Sequence, residues 1–150
     1  MQTEWRREKY LISTDHGRLD RSVIHRFLES SYWARGIPRE IVDRCIENSL
    51  CFGLYDGDCQ IGFARVISDL STFAYLADVF VIESARGQKL GVWLIETIMG
   101  HPQLQGLRRW MLATADAHDL YRKFGFTKLS RPERIMEIVD PDIYTRSKPK

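Results

Sequence analysis

Long apolar runs are missing from this 150-residue chain: nothing approaches the roughly 20 consecutive apolar residues that a membrane helix needs, so no membrane partner is expected. The opening stretch from Met1 to Lys9 carries charges where a secretion signal needs an apolar centre, which makes the cytoplasm the expected location. Cysteine is scarce. Cys45, Cys51 and Cys59 form an odd set without a Cys-x-x-Cys pair, which argues against both a disulfide framework and a thiolate metal site. His16, His25, His101 and His118 are scattered, none with a second ligand type at short helical spacing, so no metal is expected. An excess of either charge is also absent. Against 22 Lys and Arg stand 20 Asp and Glu, a balance that speaks against a protein held to nucleic acid by general attraction to phosphates. There is no internal repeat, and the one tail-like segment, Arg146 to Lys150, reads as a solvated terminus.

What is present suits one folded domain over 1–150, since hydrophobic residues make up 44% of the chain and supply enough apolar surface to offset the entropy of ordering it. A strand is expected over Lys9 to Ser13. A helix then starts at about Asp20, its N-cap, because Leu19, Val23, Ile24, Phe27 and Leu28 recur at helical spacing. Pro38 suits the first turn of a second helix with Ile41, Val42, Cys45 and Ile46 on its buried stripe, so Tyr32 to Gly36 is an aromatic link between helices. Cys51 to Tyr55 and Gln60 to Ile67 flank Asp56-Gly57-Asp58, a hairpin signal, because Asp and Gly tolerate positive φ. A third strand runs from about Phe73 to Val81. Beyond it the pattern alternates: helix from Leu90 to Met99, strand from Trp110 to Ala113, helix from Ala117 to Phe124 closed by Gly125, and closing strands at Phe126 to Leu129 and Ile135 to Val139. The expected architecture is α/β, a mixed sheet antiparallel at its start and parallel at its middle, with helices on both faces.

The segment from Asp78 to Gly91 is the most informative, a buried strand that runs into a short polar loop and then a helix. The first N–H groups of a helix lack partners and its dipole is positive there, so a phosphate can be held if small residues let it approach. Gly87 and Gly91 provide that access, while Arg86 and Lys89 add charge. Two familiar phosphate loops are excluded on residues, because neither Gly-Lys-Ser/Thr nor Gly-x-Gly-x-x-Gly is present.

This strand and loop resemble the coenzyme-A-binding signature of GNAT acyltransferases, Arg/Gln-x-x-Gly-x-Gly/Ala after a valine-containing strand. Arg86 and Gly91 match; Lys89 stands where the family's middle glycine usually sits. Downstream, Ala117-His118-Asp119-Leu120-Tyr121-Arg122-Lys123-Phe124-Gly125-Phe126 is similar to the family's Ala-x-x-Leu-Tyr-x-x-x-Gly-Phe segment, with Thr114 in place of a frequent asparagine. The resemblance spans roughly Ser49 to Leu129. It implies an acetyl-CoA co-substrate bound by Phe80, Val81, Arg86, Gly87, Gln88, Lys89, Leu90, Gly91 and Thr114, and direct attack of an amine on the thioester in a ternary complex.

The resemblance also implies a carbonyl-polarising backbone N–H on the central strand, from Phe80 or Val81. Tyr121 is the candidate general acid, a phenol with an ordinary pKa near 10 that can protonate the leaving sulfur. Asp78, a carboxylate in an otherwise apolar strand, is the candidate base, or else a structural acceptor for backbone or an arginine. Glu83 and His118 are weaker candidates for that role. The acceptor pocket of such folds points to Tyr32, Trp33 and Arg35, with Tyr75 on the central strand, although Tyr32 and Trp33 could equally complete the core. The acceptor stays open among small amines, amino acids and peptide N-termini, and a homodimer stays open as the assembly. A non-catalytic acyl-CoA-binding module is the rival reading.

Overall fold

The computed structural model describes residues 3–146. One six-stranded sheet carries the fold, ordered as in the chain: β1 (Glu4–Arg7), β2 (Tyr10–Ser13), β3 (Leu50–Asp56), β4 (Cys59–Ser68), β5 (Phe73–Val81) and β6 (Arg109–Met111). Neighbours from β1 to β5 are antiparallel, and β5 pairs with β6 in parallel. Among the described residues four α-helices flank the sheet: α1 (Arg21–Glu29), α2 (Arg39–Glu47), α3 (Leu90–Met99) and α4 (His118–Arg122).

Local chemistry explains most boundaries. Asp20 caps α1 by accepting from the N–H groups of Ser22 and Val23 at 3.2 and 3.1 Å, a contribution of about 1 kcal/mol. Pro38 precedes α2, which buries Val42 and Ile46 and leaves Ile41 and Cys45 half-covered. The β3–β4 hairpin closes at Asp56 opposite Cys59, with Gly57 at φ +60°.

Alternation along the strands then divides the core into two. Cys51, Phe63 and Phe80 pack with Ile24, Leu28, Val42 and Ile46 of α1 and α2. Their strand neighbours Phe52 and Ala64 face the other way, onto Leu94, Ile95 and Ile98 of α3 and onto Tyr121. Each large side chain removed from water contributes roughly 1.5–3 kcal/mol, so both layers hold β5 in the middle of the fold with its end leading into the loop that follows.

Two features differ from expectation. The first ordered strand is β1, and its tight link to β2 has Glu8 at φ +56°, a left-handed position without the glycine or asparagine that would signal it. At the other end, neither Phe126–Leu129 nor Ile135–Val139 forms a strand. Pro132–Arg134 is a 3₁₀ turn, and among the described residues the sheet ends at β6, so neither run is paired with a strand. The solvated terminus expected from Arg146 onward lies, past Arg146, outside the described residues.

Candidate active site

The loop after β5 runs through a 3₁₀ turn at Glu83–Ala85, then Arg86, then Gly87 at φ +91°. Lys89 takes φ +58°, ψ +26° and serves as the N-cap of α3 without a side-chain cap bond. A non-glycine residue in that left-handed conformation costs about 1–2 kcal/mol, and it stands where a glycine would be free of strain. The first N–H groups of α3 are therefore left for another acceptor. Gly91 follows in ordinary helical backbone, and a Cβ placed there would meet nothing within 4 Å. Packing does not require glycine at this position; an approaching ligand would. Leu90 is buried in the core, so only its backbone faces the loop, whereas Gln88 and Lys89 are exposed. The Arg86 Nε donates to the Val81 carbonyl at 3.0 Å, pinning the loop to the strand.

The edge of β5 that faces this loop is open. Parallel pairing joins Phe73, Ala74 and Tyr75 to Arg109, Trp110 and Met111 and then stops, so the two strands part from Leu76 onward. Ile82 donates its N–H to Ile61 across β4. Strand alternation then turns the N–H of Phe80 toward β4 and that of Val81 toward the open side. Phe80 is in any case a core residue, its ring stacked on Phe27 at 4.0 Å.

Between the parted strands lies a cleft of about 600 Å³ lined by Leu76 to Val79, Leu112 to Ala117, Tyr32, Trp33, Arg65, Tyr75, Tyr121 and Tyr144. Asp78, at φ +54°, sits in a bulge where the β4–β5 register slips between Phe63 and Arg65. Its carboxylate accepts from Arg65 Nε at 2.8 Å and from Trp33 Nε1 at 2.9 Å, and both members of the ion pair are largely buried. The Tyr32 hydroxyl accepts from the Ala115 N–H at 3.0 Å, bridging the helical link to the loop before α4. The Thr114 hydroxyl accepts from the N–H of Ala117 at 3.1 Å and so helps start α4. Tyr121 is 9% exposed; burial, aided by Tyr32 and Asp116, pushes its phenol up to about 12. Its ring packs edge-on against Phe126.

Residues 47–128 match the family model for the acetyltransferase (GNAT) domain. The chain belongs to the GNAT acetyltransferase family. A Gibberella zeae protein described as a candidate acetyltransferase, FG08082, is 32% identical over 142 residues, covering 79% of each chain. The crystal structure of a candidate GNAT-family acetyltransferase from Xanthomonas campestris pv. campestris is 48% identical, with a TM-score of 0.90 over 91% of this chain and 97% of that one. A Clostridium acetobutylicum protein described as a predicted acetyltransferase, crystallised with acetyl-CoA, shares the fold at 14% identity, with a TM-score of 0.63 over 87% of this chain and 94% of that one.

In this GNAT acetyltransferase the residues singled out from sequence fall into three groups. Tyr32, Trp33, Tyr75, Asp78, Thr114 and Tyr121 all line the cleft. Val81, Arg86, Gly87, Gln88, Lys89 and Gly91 surround the open edge and the start of α3. Arg35 is exposed and does not line the cleft, and Phe80 and Leu90 direct their side chains into the core. Sequence reasoning missed Arg65, Val79, Asp116 and Tyr144. Arg65 could have been found as the one cation within the apolar run of β4; the others carried no local signal. Among the described residues no three His, Cys, Asp or Glu side chains gather as a metal site would require, and no helix is long and apolar enough to cross a membrane.

Proposed function

We propose that this acetyltransferase transfers acetyl from acetyl-CoA to the nitrogen of a small cationic amine that carries no carboxylate or phosphate beside it. One observation carries the choice of acceptor: among the described residues the cleft's one cation, Arg65, is already engaged by Asp78, while Asp116 adds a carboxylate that no ion pair among those residues neutralises. Tyrosine and tryptophan form the walls. Such a lining attracts an ammonium by charge and cation–π contact and offers an anionic group no partner.

The loop fits the co-substrate by the geometry already described: an uncapped helix start, left-handed Lys89 and Gly87, and the open space above Gly91. Acetyl-CoA supplies an acyl group activated as a thioester. The chain's own residues do the rest. The N–H group of Val81 is available to a carbonyl oxygen as its charge grows. Tyr121, neutral throughout the physiological range, donates its proton to a departing thiolate. Asp78 has both oxygens occupied by Arg65 and Trp33, so in this reading it is a positioning residue that holds the bulge and the aromatic wall. The amine's proton leaves to water in the open cleft.

The test is thiol release from acetyl-CoA with matched amines that differ by one carboxylate, such as tyramine against tyrosine and cadaverine against lysine. The decarboxylated member should be preferred at least tenfold in kcat/KM, about 1.4 kcal/mol. A preference for the amino acids would overturn the acceptor assignment. Binding of acetyl-CoA without thiol release from any amine would favour a non-catalytic acyl-CoA-binding module.

A further inference from the structure

The cleft has one aromatic wall that neither the sheet nor the helical link supplies. Tyr144 reaches it from residues 140–146, a compact turn beyond the 3₁₀ turn at Pro132–Arg134. This turn is knotted on itself. The Asp140 carboxylate accepts from the Arg146 guanidinium at 2.8 and 2.6 Å, a bidentate pair that fixes geometry as well as charge. The Asp142 carbonyl accepts from the N–H groups of Thr145 and Arg146 at 3.1 and 2.9 Å.

Packing alone holds the turn to the rest of the fold. Among the described residues, every hydrogen bond made from Met136 to Arg146 stays within that stretch, and Met136 to Val139, which lead into the turn, are exposed throughout. The turn rests on the link between α1 and α2. Gly36 lies there at φ +80°, its N–H donated to the Glu29 carbonyl at 2.9 Å, and a Cβ on it would stand 2.9 Å from the Tyr144 carbonyl oxygen. Glycine is therefore required twice, for the left-handed backbone and for the close approach of the turn.

The neighbouring rings are fixed where Tyr144 is not. Tyr32 is tied to the Ala115 N–H and Trp33 to the Asp78 carboxylate, and the two rings meet edge-on at 5.1 Å. Tyr144, 37% exposed, is placed by the turn. Aromatic rings on several sides of an ammonium form a cage, and the girth of the cage decides which cation fits. A segment with few buried contacts and no hydrogen bonds to the core opens at little cost and so can admit the ligand it then encloses. We infer that Tyr144 selects the acceptor: the turn at 140–146 closes the outer side of the cleft, and the Tyr144 ring limits the girth of the amine that enters. This rests on the cationic-amine reading above and adds the residue that sets the size of the acceptor.

The test compares a slim and a bulky primary amine of one class, benzylamine and 4-benzyloxybenzylamine, by thiol release from acetyl-CoA. Wild type should prefer the slim amine. Tyr144→Ala should raise the KM for benzylamine about fivefold, the effect of a lost cation–π wall, and shift the slim-to-bulky ratio of kcat/KM about tenfold toward the bulky amine, with the KM for acetyl-CoA unmoved. Tyr144→Phe keeps the ring and should behave as wild type. Asp140→Ala loosens the turn without touching the cleft and should move both quantities in the same direction by less. The tyramine and tyrosine pair reads charge and this pair reads girth, so either reading can fail alone. If no amine turns over, calorimetric Kd values for the same two amines with coenzyme A present carry the comparison. A Tyr144→Ala protein with wild-type benzylamine KM and girth ratio, an equal rise in the KM for acetyl-CoA, or no binding of either amine to wild type would overturn the inference.

Discussion

Replacing Tyr121 with Phe removes one oxygen and little else. The ring stays against Phe126 in the same pocket, and among the described residues no hydrogen bond engages the hydroxyl, so folding near neutral pH should be almost unaffected. Catalysis should respond strongly. A lost general acid lowers turnover by about 10²- to 10⁴-fold, which is about 2.7–5.5 kcal/mol of transition-state stabilisation. Because the hydroxyl matters when charge reaches the sulfur, the loss belongs in kcat, with acetyl-CoA affinity retained. Alkaline pH supplies a second readout. Burial raises the folded-state phenol to about 12 from the ordinary 10, so folding favours the protonated form. That share of stability is whole below pH 10 and is lost as pH rises from 10 to 12; the shift corresponds to about 3 kcal/mol. Urea midpoints for wild type should therefore fall more steeply over this window than those for Tyr121→Phe. Steady-state kinetics from pH 7 to 10 should show no decline in wild type from loss of the acid. A folded Tyr121→Phe enzyme with wild-type kcat, when chemistry limits the rate, would refute the assignment and leave water as the proton donor.

Other substitutions probe the loop and the ion pair. Gly91→Glu should keep the fold, because the added Cβ meets open space, yet abolish acetyl-CoA binding; unchanged affinity by calorimetry would move the phosphate site elsewhere. Lys89→Gly relieves the left-handed strain and should stabilise the chain by about 0.5–1 kcal/mol in urea titration, whereas a loss of stability would contradict the conformation described. Arg65→Met strands a buried carboxylate at Asp78 and should cost about 3 kcal/mol; an unmoved melting temperature would show that the pair is worth little.

The sequence alone determined what depends on neighbours along the chain. The bounds of β5 and α3, the Asp20 cap and the Gly57 hairpin follow from periodicity and turn chemistry acting within a few residues. The loop between β5 and α3 was legible for the same reason: Arg86, Gly87 and Gly91 lie on one strand–loop–helix unit. The left-handed Lys89 was not, because a lysine carries no signal for positive φ and only its place between strand and helix imposes it. The cleft required the tertiary structure. Asp78 meets Arg65 only because β4 and β5 pair with a bulge, and the Tyr32 hydroxyl reaches the N–H of Ala115 from 83 residues away. Ile135 to Val139 was expected as a closing strand, and that expectation was wrong: a strand needs an edge to pair with, and among the described residues this segment pairs with none, leaving Met136, Ile138 and Val139 exposed. Periodicity states what a segment can bury; only the assembled sheet decides whether anything is there to bury it against.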